Sequence, residues 1–330
     1  MTKGVIELNS GIEAAASVVG KNEHAGPLGG CFDMHDDSDC FGADTWEKAE
    51  SEMQRRALAL AMKKASVTVD GIGAMYAGDL LNQCTASAYG LLEYDIPFFG
   101  LYGACSTSVE GLILASVYQS AGHAEKCAVV VSSHYCSAER QYRSPVEYGA
   151  QRSPTAQWTV TGSGAFIIGS GGKAKIRAAL PGIVVEKGIK DASNMGAAMA
   201  PAAANTLSRF FAETATSPAD YDLIVTGDLG YEGGAILCDL MLAESRDIRN
   251  NYTDCGMLIY SKATQDKHSG GSGCGCAATV TASYLLPKIE SGELSNVLLM
   301  ATGAMMSPMS IMQGQAIPAV AHLVNIKTAR

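Results

Sequence analysis

Positive charge is scarce in this chain. Its 330 residues hold 24 Lys and Arg against 33 Asp and Glu, a formal charge of −9. Binding nucleic acid needs a basic face to neutralise phosphates, and no Lys/Arg patch or basic-aromatic stripe supplies one. Charge of either sign reaches only 17%, which argues against a solvated disordered chain and against a coiled coil. Long apolar runs are absent too. No stretch reaches the roughly 18 residues of a membrane span, and MTKGVIELNS lacks the apolar core of a signal peptide. The expectation is an intracellular, soluble protein that reaches a membrane only through partners. Ten cysteines are present but no CxxC pair. The closest two, Cys274 and Cys276, stand too near each other for ordinary zinc ligation. Scattered through apolar runs, they read as reduced structural thiols, and no metal site is expected.

What is abundant is apolar and small: 47% hydrophobic residues and 36 glycines. Such a chain buries a large core, as one domain or as two halves of about 150 residues. Residues 20–45, with GPLGG and DMHDDSD, read as a solvated loop; their spacing departs from a calcium loop. Asp44, three before Glu47, reads as a capping-box start for a helix running to about Ala65. Trp46, Met53 and Leu60 share one face of it. Then come apolar IGAMYAG (72–78), a helical stretch around 82–92, PFFGLYG (97–103), a helix from Ser106 to about Ala121, and β-branched CAVVVSS (127–133). Short strands alternating with helices indicate a layered α/β fold.

The second half replays this order. YDLIVTGDLG (221–230) parallels IGAMYAGDLL (72–81), and both carry Gly-Asp-Leu at a strand end. The stretch from GSGCGCAATV to NVLLMATGA (271–304) parallels GACSTSVEG to CAVVVSSH (103–134). In each, a Gly-rich turn with a cysteine precedes a small-residue helix and a buried-looking strand. The division is expected at residues 1–175 and 176–330. MGAAMAPAAAN (195–205) reads as a helix that packs closely through its small residues.

Cys105, in LYGACSTSVEG, lies where a strand end meets a helix start. Unpaired N–H groups and the dipole at such a terminus favour a thiolate or bind an anion. A nucleophilic cysteine also needs a base. His134 follows the next strand, beyond the C-terminal edge where α/β sheets place their sites. Arg140 and Arg143 follow in AERQYRSPVEYG and suit a forked grip on a carboxylate. The second-half counterpart GGSGCGCA carries thiols and glycines but no histidine.

The repeated halves and the strand–Cys–helix turn resemble the thiolase-like superfamily of thiolases and ketoacyl synthases. One branch is closer. GPLGGCFD, AGDLLNQ, LYGACSTSVEG, SSHYCSAERQYRSPVEYGAQ, TVTGSGA, YDLIVTGDL, GGSGCGCAA and ATGAMMSP, in this order, resemble the stage V sporulation protein AD family of endospore formers. The resemblance implies two pseudo-repeated lobes in a five-layer α-β-α-β-α fold. It implies binding of dipicolinic acid, alone or as its calcium salt, during its uptake into the developing spore. It further implies a homodimer, peripheral to the forespore inner membrane and partnered by other stage V sporulation A membrane proteins. Carried over, Cys105 matches the thiolase nucleophile. The histidine expected near the second Gly-rich turn and the cysteine expected near ATGAMMSP are missing; His268 lies upstream, in KHSGG. The reading is therefore a non-catalytic protein with no cofactor, whose old cleft holds a flat dicarboxylate. One carboxylate is expected at Cys105 and Ser106, the other at Arg140, Arg143 and His134, with Asp79 and Gln83 at the mouth. Two alternatives stand beside it: an active acyltransferase using Cys105, and a scaffold whose cleft is vestigial.

Overall fold

Small and apolar residues fill IELNSGIEAAASVVG, and the segment forms β1 (Ile6–Gly20), the longest described strand. A computed structural model of the chain describes residues 4–142 and 152–329. The first half continues with β2 (Met34–Asp36), β3 (Ala74–Gly78), β4 (Phe98–Leu101), β5 (Cys127–Ser133), β6 (Trp158–Thr159) and β7 (Gly162–Gly169). The second half contributes β8 (Ala174–Leu180), β9 (Leu223–Thr226), β10 (Tyr252–Asp254), β11 (Gly271–Ser272), β12 (Asn296–Ala304) and β13 (Ala319–Thr328).

Strand order exposes an internal symmetry. One run is β4-β3-β5-β7-β1, and the other, read outward from the centre, is β8-β13-β12-β9-β10. In each run the fourth strand counted from its outer edge, β7 or β13, lies antiparallel to both its neighbours. The three strands outside it are parallel. Antiparallel pairing of β1 with β8, from Ile6 opposite Ala179 to Ile12 opposite Ala174, joins the runs. Short β2 adds to β1, and β6 pairs with β11 across the halves.

Period-two alternation sends successive side chains to opposite faces of each run. Met75, Ala77, Ala128, Val130 and Ile167 meet Met53, Ala57 and Leu58 of the helix Trp46–Ala65 on the outside of the first run. Leu298, Met300 and Leu323 meet Leu207 and Phe210 of the helix Met195–Thr214 outside the second. Between the runs, Tyr76, Val129, Phe166, Val297, Leu299 and Val324 enclose Val109 and Leu112 of the helix Thr107–Ser120. Cys276, Ala278 and Val280 of the helix Cys274–Val280 fill the same layer. Helix, sheet, paired helices, sheet, helix: these are the five expected layers, and the two Cys-turn helices form the central one.

Several local expectations shift. Thr45, not Asp44, caps the helix at Trp46 by accepting from the Lys48 N–H at 3.3 Å, while Asp44 pairs with Lys48. The stretch around 82–92 is helical as expected but short, an α-helix Thr85–Gly90 flanked by 3₁₀ turns, with Gln83 and Cys84 at positive φ before it. Residues 20–45 are not simply solvated: Asp33 accepts from the Ser17 N–H and pairs with Lys64, and Glu23 is buried. The helix Met195–Thr214 packs closely as expected, with Gly196 facing Gly233 of the helix Gly230–Ala243.

The central helices sit so close that Gly164 of β7 has no room for a side chain. A Cβ there would lie 2.7 Å from the Ala278 carbonyl carbon, an immovable backbone atom. Gly164→Val is expected to cost about 2–3 kcal/mol of stability. Urea unfolding checks this, the midpoint falling at unchanged slope; an unchanged midpoint would contradict the packing described.

Candidate ligand cavity around Cys105

The chain leaves β4 at Leu101 and turns through Gly103 and Ala104, whose φ of 52° is left-handed. One 3₁₀ turn, Ala104–Ser106, then leads into the helix Thr107–Ser120. The turn uses its own polar groups. Ser106 donates its N–H and its hydroxyl to the Gly103 carbonyl, at 3.2 and 2.6 Å. Thr107 Oγ1 accepts from the Gly103 N–H and donates to the Ala104 carbonyl. Ser106 is buried and committed to this turn, and it does not line the cavity described below.

Cys105 faces the second half. Its Sγ lies 3.9 Å from Ser272 Oγ, and the buried carboxyl of Asp228 stands close enough for its charge to act on the thiol. Asp228 follows β9 in the repeated Gly-Asp-Leu. Its carboxylate accepts from Ser272 Oγ and the Gly273 N–H, each at 3.2 Å, and from Thr302 Oγ1 at 2.7 Å. Burial raises the Asp228 carboxyl to about 6, partly offset by hydrogen bonds from Cys105 and Thr302. Burial, then the Asp228 charge, pushes the Cys105 thiol well up. A carboxyl group and a hydroxyl thus stand where a nucleophile needs a base, and both the charge and the dryness favour the thiol.

Above Cys105 opens a cavity of about 400 Å³, within the usual size of small-molecule sites. Arg152, Ser153, Gln157, Thr159 and Ser193 are among its polar lining residues, and Leu80, Ala138, Met195, Met306 and Ile311 among its apolar ones. Arg152 has a side chain only 8% exposed and an ion pair with Glu139 at 3.1 Å, also on the wall. Its guanidinium lies 5.1 Å from the Trp158 ring centre, and Tyr135 stacks on that ring at 4.0 Å. Stacking and ion pair hold the guanidinium flat at the cavity edge.

Of the ligand contacts expected from sequence that fall among the described residues, only Cys105 lines this cavity. His134 is buried elsewhere: its Nε2–H donates to the Asp39 carbonyl at 2.9 Å, and its Nδ1 accepts from the Cys136 N–H. Burial lowers its basicity. The loop of residues 20–45 therefore occupies the imidazole expected to act on Cys105. Arg140 lies in a separate, smaller depression, where it pairs with Glu47. Arg143 lies outside the described residues. Asp79 is buried and closes a local turn, accepting from the Leu81 N–H, the Ser87 N–H and the Ser87 hydroxyl. Gln83 is exposed at positive φ and lines neither space. His268, just upstream of the second turn, bonds the Ser153 carbonyl and Asp266. Sequence reasoning missed Arg152, Gln157, Asp228 and Ser272. For Asp228 a signal existed in the repeated Gly-Asp-Leu, but Arg152 carries none.

All ten cysteines are free. Among the described residues, no cluster of metal-ligating side chains occurs, and no helix is long and apolar enough to cross a membrane. The model of the family "Stage V sporulation protein AD" matches residues 3–327. The stage V sporulation protein AD of Bacillus subtilis (strain 168) is 41% identical over 319 residues, covering 96% of this chain and 94% of that protein. Among solved structures, 3-oxoacyl-(acyl-carrier-protein) synthase III of Aquifex aeolicus VF5 shares the fold with a TM-score of 0.59. Its identity is 13%, over 96% of this chain and 99% of that one. Cerulenin-bound OleA of Xanthomonas campestris gives 0.58 at 13% identity, covering 99% and 98%.

The buried carboxyls carry a pH signature. Burial raises Asp228 to about 6, Glu23 and Asp254 to about 7, and Glu50 to about 8. Unfolded carboxyls titrate near 4. The folded state therefore holds these protons more tightly, and that stability is lost as pH rises through about 6 to 8. His322, lowered by burial to about 4, acts oppositely: its contribution is present above its unfolded value of about 6.5 and is lost as pH falls below it. The four carboxyls outweigh the one histidine, so calorimetric melting is expected to fall from about pH 5 to pH 8.5. A midpoint that rises from pH 6 to 8.5 would contradict these burials.

Proposed function

The chain belongs to the stage V sporulation protein AD family, and from that premise we propose that it binds dipicolinic acid in the cavity above Cys105 without transforming it. The observation that carries this reading is the company Cys105 keeps. A working acyl-transfer cysteine needs an activating base or a nearby cation. Here burial and the buried carboxyl at Asp228 hold the thiol protonated, outweighing the Ser272 hydroxyl, while His134 is spent on Asp39. What persists is a concave space whose lining divides into polar and apolar residues.

That division suits a flat pyridine dicarboxylate. Arg152 offers a planar fork to one carboxylate, with hydroxyls of Ser153, Ser193 and Thr159 nearby, and the ring edge meets Met195, Met306 and Leu80. Glu139 competes for the same guanidinium, so ligand binding exchanges one carboxylate partner of Arg152 for another. Calcium is read as accompanying the ligand. In this reading the protein serves dipicolinate uptake during sporulation, with other stage V sporulation A membrane proteins as partners at the forespore inner membrane. A homodimer is part of the same reading. The edge strand β4, with exposed Phe98 and Phe99 and with Tyr102, Leu114 and Val117 around it, supports that pairing.

Titration calorimetry with dipicolinate, with and without calcium, tests the reading. Losing a charge-assisted pair amounts to about 1.5–3 kcal/mol, so Arg152→Ala is expected to weaken binding by about 10- to 100-fold. Arg140→Ala is expected to change it little. No binding by the wild type, or equal losses in both variants, would overturn the assignment. In the same preparation, intact-mass analysis after exposure to acyl-coenzyme A is expected to show no adduct on Cys105. A stable adduct with turnover would favour the acyltransferase alternative.

A further inference from the structure

Residues 305–317 cross from the end of β12 to β13, and this crossing is tied down at its ends. The Met305 N–H donates to the Pro318 carbonyl at 2.8 Å, and the Ile317 N–H to the Ile189 carbonyl at 2.7 Å. Between those ties, the hydrogen bonds of Ser307 to Gln315 stay inside the segment. Ile311 bonds back to Ser307, Gln313 to Met309, Gly314 to Ile311 and Gln315 to Ser310. Ser307 and Ser310 close a capping box around Pro308, which begins a helix ending at Met312. Among the described residues, nothing in Ser307–Gln315 bonds to the rest of the chain.

The segment is therefore a small self-satisfied unit on two anchors. Its helix buries no residue, and Met309 and Met312 are 61% and 73% exposed. Two side chains hold it down: Met306 and Ile311 pack against the second-half core and also line the cavity. On this side of the cavity, one helical turn stands between its lining and bulk water. Lifting it breaks at most the bond from the Met306 N–H to the Ala304 carbonyl at the end of β12 and exposes two flexible or branched apolar side chains, a small cost beside that of opening a sheet. Gly314, at φ 72°, supplies a bend next to the second anchor.

We propose that residues 306–315 are a lid that opens as a unit to admit ligand to the cavity, with Met306 and Ile311 as its latch. That the admitted ligand is dipicolinate rests on the preceding reading; the lid itself does not.

Cys105 on the cavity floor reports opening without any ligand. Peptide mass analysis would follow its modification by N-ethylmaleimide at fixed pH, with exposed Cys31 as internal reference. In the double variant Met306→Ala/Ile311→Ala, modification of Cys105 is expected to accelerate by about tenfold or more at an unchanged Cys31 rate. Hydrogen exchange across 307–315 should accelerate with it. Met309→Ala/Met312→Ala trims only the outer face of the lid and is expected to leave the Cys105 rate within about twofold of wild type. An unchanged Cys105 rate in the latch variant, or an equal gain in the outer-face variant, would overturn the lid. Adding dipicolinate to the wild type should slow both readouts. Failure of that arm alone, with the others as expected, would count against the ligand and leave the lid standing.

Discussion

The buried carboxyl of Asp228 is the contact on which the site depends. It accepts from Ser272 and Gly273 in the Gly-rich turn and from Thr302 near the end of β12, and its charge acts on the Cys105 thiol of the first half. With Asp228 itself, these groups come from four separated stretches of chain. Three donors converging on one carboxylate offset much of the cost of burying it. The same arrangement decides the chemistry. A carboxylate beside a dry thiol opposes thiolate formation, so the group that ties the halves together also pushes the Cys105 thiol up.

The two halves are alike in strand order and unlike in what they do with the same residues. Each has an aspartate after its Gly at a strand end. Asp79 turns back on Leu81 and Ser87 and stabilises a local turn, while Asp228 crosses to Cys105. Each half has a Gly-rich turn with cysteine before a central helix. Cys105 faces the cavity; Cys274 points into the core and donates to the Ser132 carbonyl at 2.9 Å. A symmetric frame thus carries one asymmetric pocket, with its floor drawn from both halves and its roof from the second.

Much of the frame was legible beforehand because alternation and repetition are written locally. CAVVVSS reads as a strand and is β5, residue for residue. The Cys-turn helices and the Gly-Asp-Leu repeats pointed to the two halves. Strand β1 escaped because Ser, Gly, Ala and Glu interrupt its apolar residues, and its strand character comes from pairing with β7 and β8. The site was less legible. His134 has the right place in sequence, but its ring is claimed by Asp39, a residue from a loop that looks merely solvated. Arg152 looks like any surface arginine until Trp158, Tyr135 and Glu139 are placed around it. Those contacts are tertiary, and no spacing in the chain encodes them.

A quiet cysteine, a charged fork on one wall and a methionine-latched crossing overhead describe a container more than a reactor. The most direct check of that account is a crystal structure of the protein grown with dipicolinate and calcium. The account predicts planar density within the cavity, with one carboxylate on the Arg152 guanidinium and no covalent bond to Cys105. An empty cavity with ligand bound elsewhere, or density continuous with the Cys105 sulfur, would contradict it.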